Sequence, residues 1–332
     1  MGQAMDVEWS MGASARRGPR VPAFAEQWFD LPAGSFPFAS RFLRMGTDSG
    51  NCQLHCIDEG RGPVLFMLHG NPTWSYQFRH LVRSLRSSYR CIALDLPGYG
   101  LSTAPPGFSF RPRDIASLVA QAMRQLDLRD ATLVAHDWGG PIGLAAMAEE
   151  KGRIARIVFG NTWAWPVDGD SHFEWYSNFL GGPVGHLLNT EFLALVNVVM
   201  PVAMRRRSLT SSELAAYRAP FADKARRTPL HVLSAELTRA VDWLADVERE
   251  ADGYHGPALF LWPEGDLAFR RRELERWCRL WPQAQVRRLE GCGHFLWEEA
   301  PEACLAGLRP FLEKTAVNHP VSLPCMEYRH VV

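Results

Sequence analysis

The sequence predicts an open α/β architecture, a mostly parallel sheet with an inserted block of helices, and three observations carry that expectation. Short, continuously apolar runs at Val64–Leu68, Cys91–Leu94, Ala131–Ala135 and Ile154–Phe159 have the pattern of strands covered on both faces. They alternate with helix-period segments at short intervals, as right-handed crossovers between parallel strands require. The alternation halts at Asn161 and resumes at Ala258, which leaves room for an insertion.

Taken in order, residues 1–30 include Arg16, Arg17, Gly18, Pro19 and Arg20 but no apolar signal-peptide core, so a loose N-terminal extension is expected. Phe36–Arg44 and Cys52–Asp58, separated by the turn-rich Gly46-Thr47-Asp48-Ser49-Gly50, form an opening antiparallel hairpin. The covered strand Val64–Leu68 runs into His69-Gly70-Asn71-Pro72-Thr73-Trp74, and Tyr76–Leu85 follows as a helix. Cys91–Leu94 is closed by Asp95-Leu96-Pro97-Gly98-Tyr99-Gly100, after which Ile115, Leu118, Val119, Ala122 and Leu126 recur at helical spacing. Ala131–Ala135 leads through a sharp turn to a helix carrying Ile142, Leu144 and Ala145, and then to the strand Ile154–Phe159. Residues 162–235, aromatic-rich and broken at Gly181-Gly182-Pro183 and Pro201, are expected to form a helical cap on a core of residues 31–161 and 236–315. Sheet character returns at Ala258–Trp262, with a helix at Arg271–Leu280, a strand at Gln285–Leu289 and a helix at Pro301–Leu312. Residues 316–332 form a C-terminal tail outside the core.

Composition narrows the function. With 36 basic and 36 acidic side chains there is no net charge to attract nucleic acid or an anionic membrane. The most apolar stretch, Phe192–Met204, is interrupted by Asn197 and Pro201 and is too short to span a bilayer. The seven cysteines are scattered without a Cys-x-x-Cys pair, and no His/Cys cluster stands near Cys52 and Cys56. Neither a disulfide scaffold nor a zinc site is expected, and a reducing cytoplasm is the default. The triplets Arg205-Arg206-Arg207 and Arg270-Arg271-Arg272 are expected to be solvated helix faces.

The chemistry centres on Val134-Ala135-His136-Asp137-Trp138-Gly139-Gly140. Asp137 stands where a strand turns into a helix, and Gly139 and Gly140 permit close backbone approach there. In the Gly-x-Ser-x-Gly version of such an elbow the central residue is a nucleophile beside backbone N–H donors. A carboxylate in that place can displace a leaving group from saturated carbon, giving an ester that water must hydrolyse. Alone, Asp137 could equally cap the helix that follows. Later strand ends supply partners: Ala258–Trp262 runs into Pro263-Glu264-Gly265-Asp266, and the last strand into Glu290-Gly291-Cys292-Gly293-His294. Nucleophile, acid and histidine thus follow the chain order of an α/β-hydrolase triad. His294 would activate water and Asp266 would orient its ring, with Glu264 the rival acid.

His69-Gly70-Asn71-Pro72-Thr73-Trp74-Ser75-Tyr76, His136-Asp137-Trp138-Gly139-Gly140 and Gly291-Cys292-Gly293-His294-Phe295 together resemble the haloalkane dehalogenases, over about residues 36 to 314. The resemblance implies an α/β-hydrolase fold and no cofactor or metal. It implies that Asp137 attacks the halogen-bearing carbon, His294 activates water, and Asn71 and Trp138 bind the halide. Indole and amide N–H donors suit an anion leaving in an apolar pocket. The absence of an acid in Gly160-Asn161-Thr162, with Asp266 and Asn71 present, resembles the subfamily that has a late Asp and an Asn-Trp halide pair. The expected partners are water and a small apolar halogenated substrate, not nucleic acid or a membrane. Trp163, Trp165, Phe173, Trp175 and Phe179 are expected to line the pocket. An epoxide hydrolase, using Tyr176 and Tyr217 of the cap, remains the rival enzyme; a luciferase-like or non-catalytic small-molecule binder on the same fold stands behind it.

Overall fold

The computed structural model describes residues 21–24, 29 and 31–317. Its strands are β1 (Val21–Phe24), β2 (Ala39–Thr47), β3 (Gly50–Glu59), β4 (Val64–Leu68), β5 (Arg90–Leu94), β6 (Ala131–His136), β7 (Ile154–Gly160), β8 (Ala258–Pro263) and β9 (Gln285–Leu289). The helices are α1 (Arg79–Leu85), α2 (Pro112–Gln125), α3 (Gly139–Glu149), α4 (Ser171–Leu180), α5 (Pro183–Phe192), α6 (Met200–Ala203), α7 (Ser211–Arg218), α8 (Thr228–Arg239), α9 (Val241–Asp252), α10 (Arg271–Leu280), α11 (Leu296–Glu299) and α12 (Pro301–Val317).

All nine strands form one sheet in the order β1-β2-β3-β5-β4-β6-β7-β8-β9. β1, β2, β3 and β5 pair antiparallel in turn, and every pair from β5 through β4 to β9 is parallel. The apolar runs behave as their composition demands, since every residue of β6 and β8 is buried. α2 and α9 both pack against α3, while α12 packs on β8 and α1. The parallel register sets Leu68 beside Ala135, His136 beside Gly160, and Gly160 beside Leu261, so the carboxyl ends of β4, β6, β7 and β8 open on one edge. Loops leaving neighbouring carboxyl ends meet there.

Two expected boundaries move. Residues 21–24, expected in a loose extension, add an edge strand to β2; the rest of the expected extension and tail, residues 1–20, 25–28, 30 and 318–332, lies outside the described residues. The cap runs past residue 235, because α8 continues to Arg239 and packs on α4 and α5, whereas α9 packs on the core helix α3. All six described cysteines are free, and Cys52 and Cys56 are buried.

Candidate active site

β6 ends at His136 and α3 begins at Gly139, so the chain reverses within two residues. Asp137 takes φ 51° to do so, a left-handed conformation costing a non-glycine residue about 1–2 kcal/mol. Its backbone is held on both sides: its N–H donates to the Asn161 carbonyl (3.1 Å), and Thr162 Oγ1 donates to its carbonyl (2.6 Å). Glycines provide clearance. A Cβ on Gly139 would stand 2.3 Å from the Leu68 carbonyl oxygen, and one on Gly70 would stand 2.2 Å from Asp137 Oδ1. No side chain caps α3, which removes the capping alternative for Asp137. Its Oδ1 instead accepts the Asn71 backbone N–H at 2.8 Å. Burial pushes the Asp137 carboxyl pKa up, against the opposing pull of His294 and the backbone N–H groups of Trp138 and Asn71.

His294 faces this carboxylate, with Nε2 4.0 Å from Asp137 Oδ2 and Nδ1 2.8 Å from Asp266 Oδ2. Burial alone would lower the imidazole pKa, but Asp266, then Asp137 and Glu299, outweigh it and hold it up at about 8. Asp266 is fixed in turn, accepting the Ala268 N–H at 2.7 Å on Oδ1 and the Asn161 amide on Oδ2. Glu264, the rival acid, is exposed and paired with Arg288 at 3.1 Å. The chain around His294 is gripped by the buried carboxylate of Glu299. It accepts N–H groups from Gly293 (3.0 Å) and Phe295 (3.2 Å), and from Arg205 (2.7 Å) and Arg206 (2.8 Å) where the cap meets the core. The His294 N–H itself donates to the Ala203 carbonyl (3.0 Å).

Asp137, Trp138, Asn71, Asp266 and His294 all border one cavity of about 520 Å³ beneath the cap. Of the five aromatics expected there, Phe173, Trp175 and Phe179 line it. Trp163 and Trp165 do not: Trp163 is buried edge-on to Trp138 (4.7 Å) and stacked on Phe269 (5.1 Å), and Trp165 packs on Trp277 (5.0 Å). Both follow directly from β7 and are drawn down into the junction between cap and core.

The two candidate halide donors differ. Trp138 borders the cavity, edge-on to Trp163, and brings there an indole N–H that can only donate. The Asn71 amide is already engaged, donating to the Leu230 carbonyl (3.0 Å) and to Ser234 Oγ (3.3 Å) of α8, while its oxygen accepts from Tyr99 (3.1 Å). The contacts from Ser234 and Tyr99, like those from Asn161 and Glu299, escaped the sequence reading. Asn161 alone left a signal, standing at the carboxyl end of an apolar strand.

The remaining candidates separate cleanly. Tyr176 lines the cavity, but Tyr217 is buried elsewhere with its hydroxyl on Glu298. His80, Glu213 and Glu298 bring ligand atoms within 4.8 Å of one another, yet Arg79 and Arg207 already bridge both carboxylates, which leaves a cation little to neutralise. Arg207, Arg270, Arg271 and Arg272 are ion-paired and form no anion site.

Residues 63–301 match the family model for the alpha/beta hydrolase fold. Haloalkane dehalogenase 2 of Mycobacterium tuberculosis is 32% identical over 82% of this chain and 94% of its own length. A cis-3-alkyl-4-alkyloxetan-2-one decarboxylase of Shewanella oneidensis is 30% identical over 84% of this chain and 90% of its own. The crystal structure of haloalkane dehalogenase DbeA from Bradyrhizobium elkani superposes with a TM-score of 0.73 at 25% identity, over 84% of this chain and 99% of that one. A carboxylate at the strand-to-helix elbow, facing a His-Asp pair in an apolar cavity, thus stands beside a family match over residues 63–301 and a dehalogenase relative covering most of both chains, and the chain belongs to the haloalkane dehalogenase-like α/β hydrolases.

Proposed function

We propose that the protein hydrolyses haloalkanes to alcohol, halide and a proton through an ester on Asp137. One observation carries the reading: Asp137 Oδ1 is tied down by the Asn71 N–H, and Oδ2 is left facing His294 in an apolar cavity. Oδ2 attacks the halogen-bearing carbon, the carbon–halogen bond breaks, and its electron pair leaves on the halide. The Trp138 indole N–H receives that anion, and the weak 3.3 Å contact from Asn71 to Ser234 is the one an arriving halide replaces. Water then attacks Cγ of the ester, giving its proton to His294 Nε2. The Asn71 and Trp138 backbone N–H groups stabilise the oxyanion on Oδ1, and collapse releases the alcohol. Asp266 holds the imidazole in the tautomer this requires. The late Asp266 and the Asn71-Trp138 pair support the subfamily reading that the motifs suggest.

A second reading has a specific support, the oxetanone decarboxylase relative. Opening such a strained lactone at its alkyl carbon also expels an anion, a carboxylate, from a carbon under attack by Asp137. The epoxide reading is weaker, because only Tyr176 of the two cap tyrosines borders the cavity.

The test is His294→Gln incubated with 1-bromobutane. One bromide is expected per protein, with a mass gain of one butyl group on Asp137; unmodified protein after prolonged incubation rejects the covalent route. Bromide from the wild type selects the first reading, alkene and carbon dioxide from a cis-3,4-dialkyloxetan-2-one select the second, and diol from styrene oxide selects the third.

A further inference from the structure

Eight large apolar side chains stand exposed among the described residues, and seven of them fall between Trp175 and Val202 of the cap. They are arranged in stripes. Trp175 and Phe179 of α4 lie four residues apart with rings stacked at 5.4 Å and 11°, Val198 and Val202 are likewise four apart, and Val184 and Leu187 of α5 are three apart. Trp175, Phe179, Val198 and Val202, with the eighth residue Leu267, also border the catalytic cavity, so the exposed surface is the rim of its mouth. Monomeric proteins seldom leave a contiguous apolar patch of this kind to water.

We propose that this rim docks on a zwitterionic lipid bilayer, from which lipophilic substrates pass directly into the cavity. Three features select this occupant. A second copy of the chain or another protein seated on the five rim residues would cover the mouth, whereas a bilayer leaves it facing an apolar phase in which such substrates concentrate. Pro183–Phe192 and Leu195–Ala203 together have the length and hydropathy of a membrane span, but they bend by 82° around Leu193, which has φ 52°. Both keep apolar residues exposed, Val184, Leu187 and Phe192 on the first and Val198 and Val202 on the second, as interfacial helices do, and no single described helix is long and apolar enough to cross a membrane. Beside the patch Glu191 of α5 is paired with Lys224, and the exposed Arg205 and Arg206 that follow Val202 suit the phosphate that a zwitterionic headgroup carries. A bilayer departs from the expectation of no membrane partner, which rested on the absence of net charge and therefore bears on anionic surfaces and not on a neutral one.

Docking is read without turnover, by flotation of the full-length protein with phosphatidylcholine vesicles. The wild type is expected to float with the vesicles. Val184→Glu/Leu187→Glu, two exposed changes away from the cavity lining, is expected to partition at least about tenfold more weakly. That variant should release bromide from 1-bromobutane at the wild-type rate and be slower with 1-bromohexadecane carried in vesicles. A wild type that stays in the buffer, or a variant that floats undiminished, overturns the proposal. So does a wild-type dimer in light scattering that the same variant dissociates, which would make a second copy the occupant. If neither protein releases bromide while flotation behaves as expected, docking stands and the dehalogenase reading falls.

Discussion

At the residue scale, the decisive asymmetry lies around His294. Its imidazole is held up at about 8 chiefly by Asp266, with Asp137 adding to the effect, so it is largely protonated below that pH. Alkylation of Asp137 removes one of those negative charges and lowers the imidazole pKa just when a neutral base is needed. Turnover should therefore rise with pH along a limb whose midpoint lies below about 8, while ester formation, followed by the bromide burst of His294→Gln, shows no such limb. Asp266→Asn removes the largest of the raising influences: the His294 NMR titration should move to lower pH, and kcat should fall by about 10³–10⁴. Trp138→Phe deletes the indole donor and should cost about 10² in kcat with bromoalkanes, measured against unchanged vesicle flotation. Glu299→Gln should lower kcat without preventing ester formation, because it loosens the backbone on either side of His294 and leaves Asp137 alone.

At the scale of elements, the elbow and the joint between cap and core set the tolerances. Gly139→Ala drives a Cβ against the backbone oxygen of Leu68, which cannot move without disturbing β4; a loss of about 1–3 kcal/mol in urea unfolding is expected. Arg79 of α1 bridges Glu298 of α11 and Glu213 of α7, and Arg207 bridges the same two carboxylates. Arg79→Ala leaves buried Glu298 short of a partner and should cost about 3–5 kcal/mol by the same measurement. These contacts also show where sequence reasoning runs out. The covered strands and the elbow were legible because apolar runs and paired glycines are local signals. Asn71 meeting Ser234, Glu299 meeting Arg205 and Arg206, and Trp165 packing on Trp277 depend on cap and core coming together, which no local period encodes. The end of α8 was missed for the same reason, since a cap helix and a core helix have the same periodicity until their partners are known.

At the scale of the molecule, one parallel register brings the ends of β4, β6, β7 and β8 together, so residues from Asn71 to Asp266 share one cavity. Chain order makes Asp137, Asp266 and His294 readable as a group, and Asp266, lying further beyond its strand than Glu264, is the preferred acid from the sequence. The cap completes the site through Leu230 and Ser234 of α8, and its other segments, carrying Trp175, Phe179, Val198 and Val202, give the mouth an apolar rim. The two oxygens of Asp137 are not equivalent, because Oδ1 is pinned by Asn71 and only Oδ2 is presented for attack. In heavy-oxygen water the first alcohol should leave with the light oxygen of Oδ2, and the oxygen from water should take its position. From the second turnover onward every alcohol should be labelled, whereas a carboxylate free to flip would label only about half of the second. Each molecule of product would carry the oxygen delivered one cycle before, and mass spectrometry of the first few turnovers reads that inheritance directly.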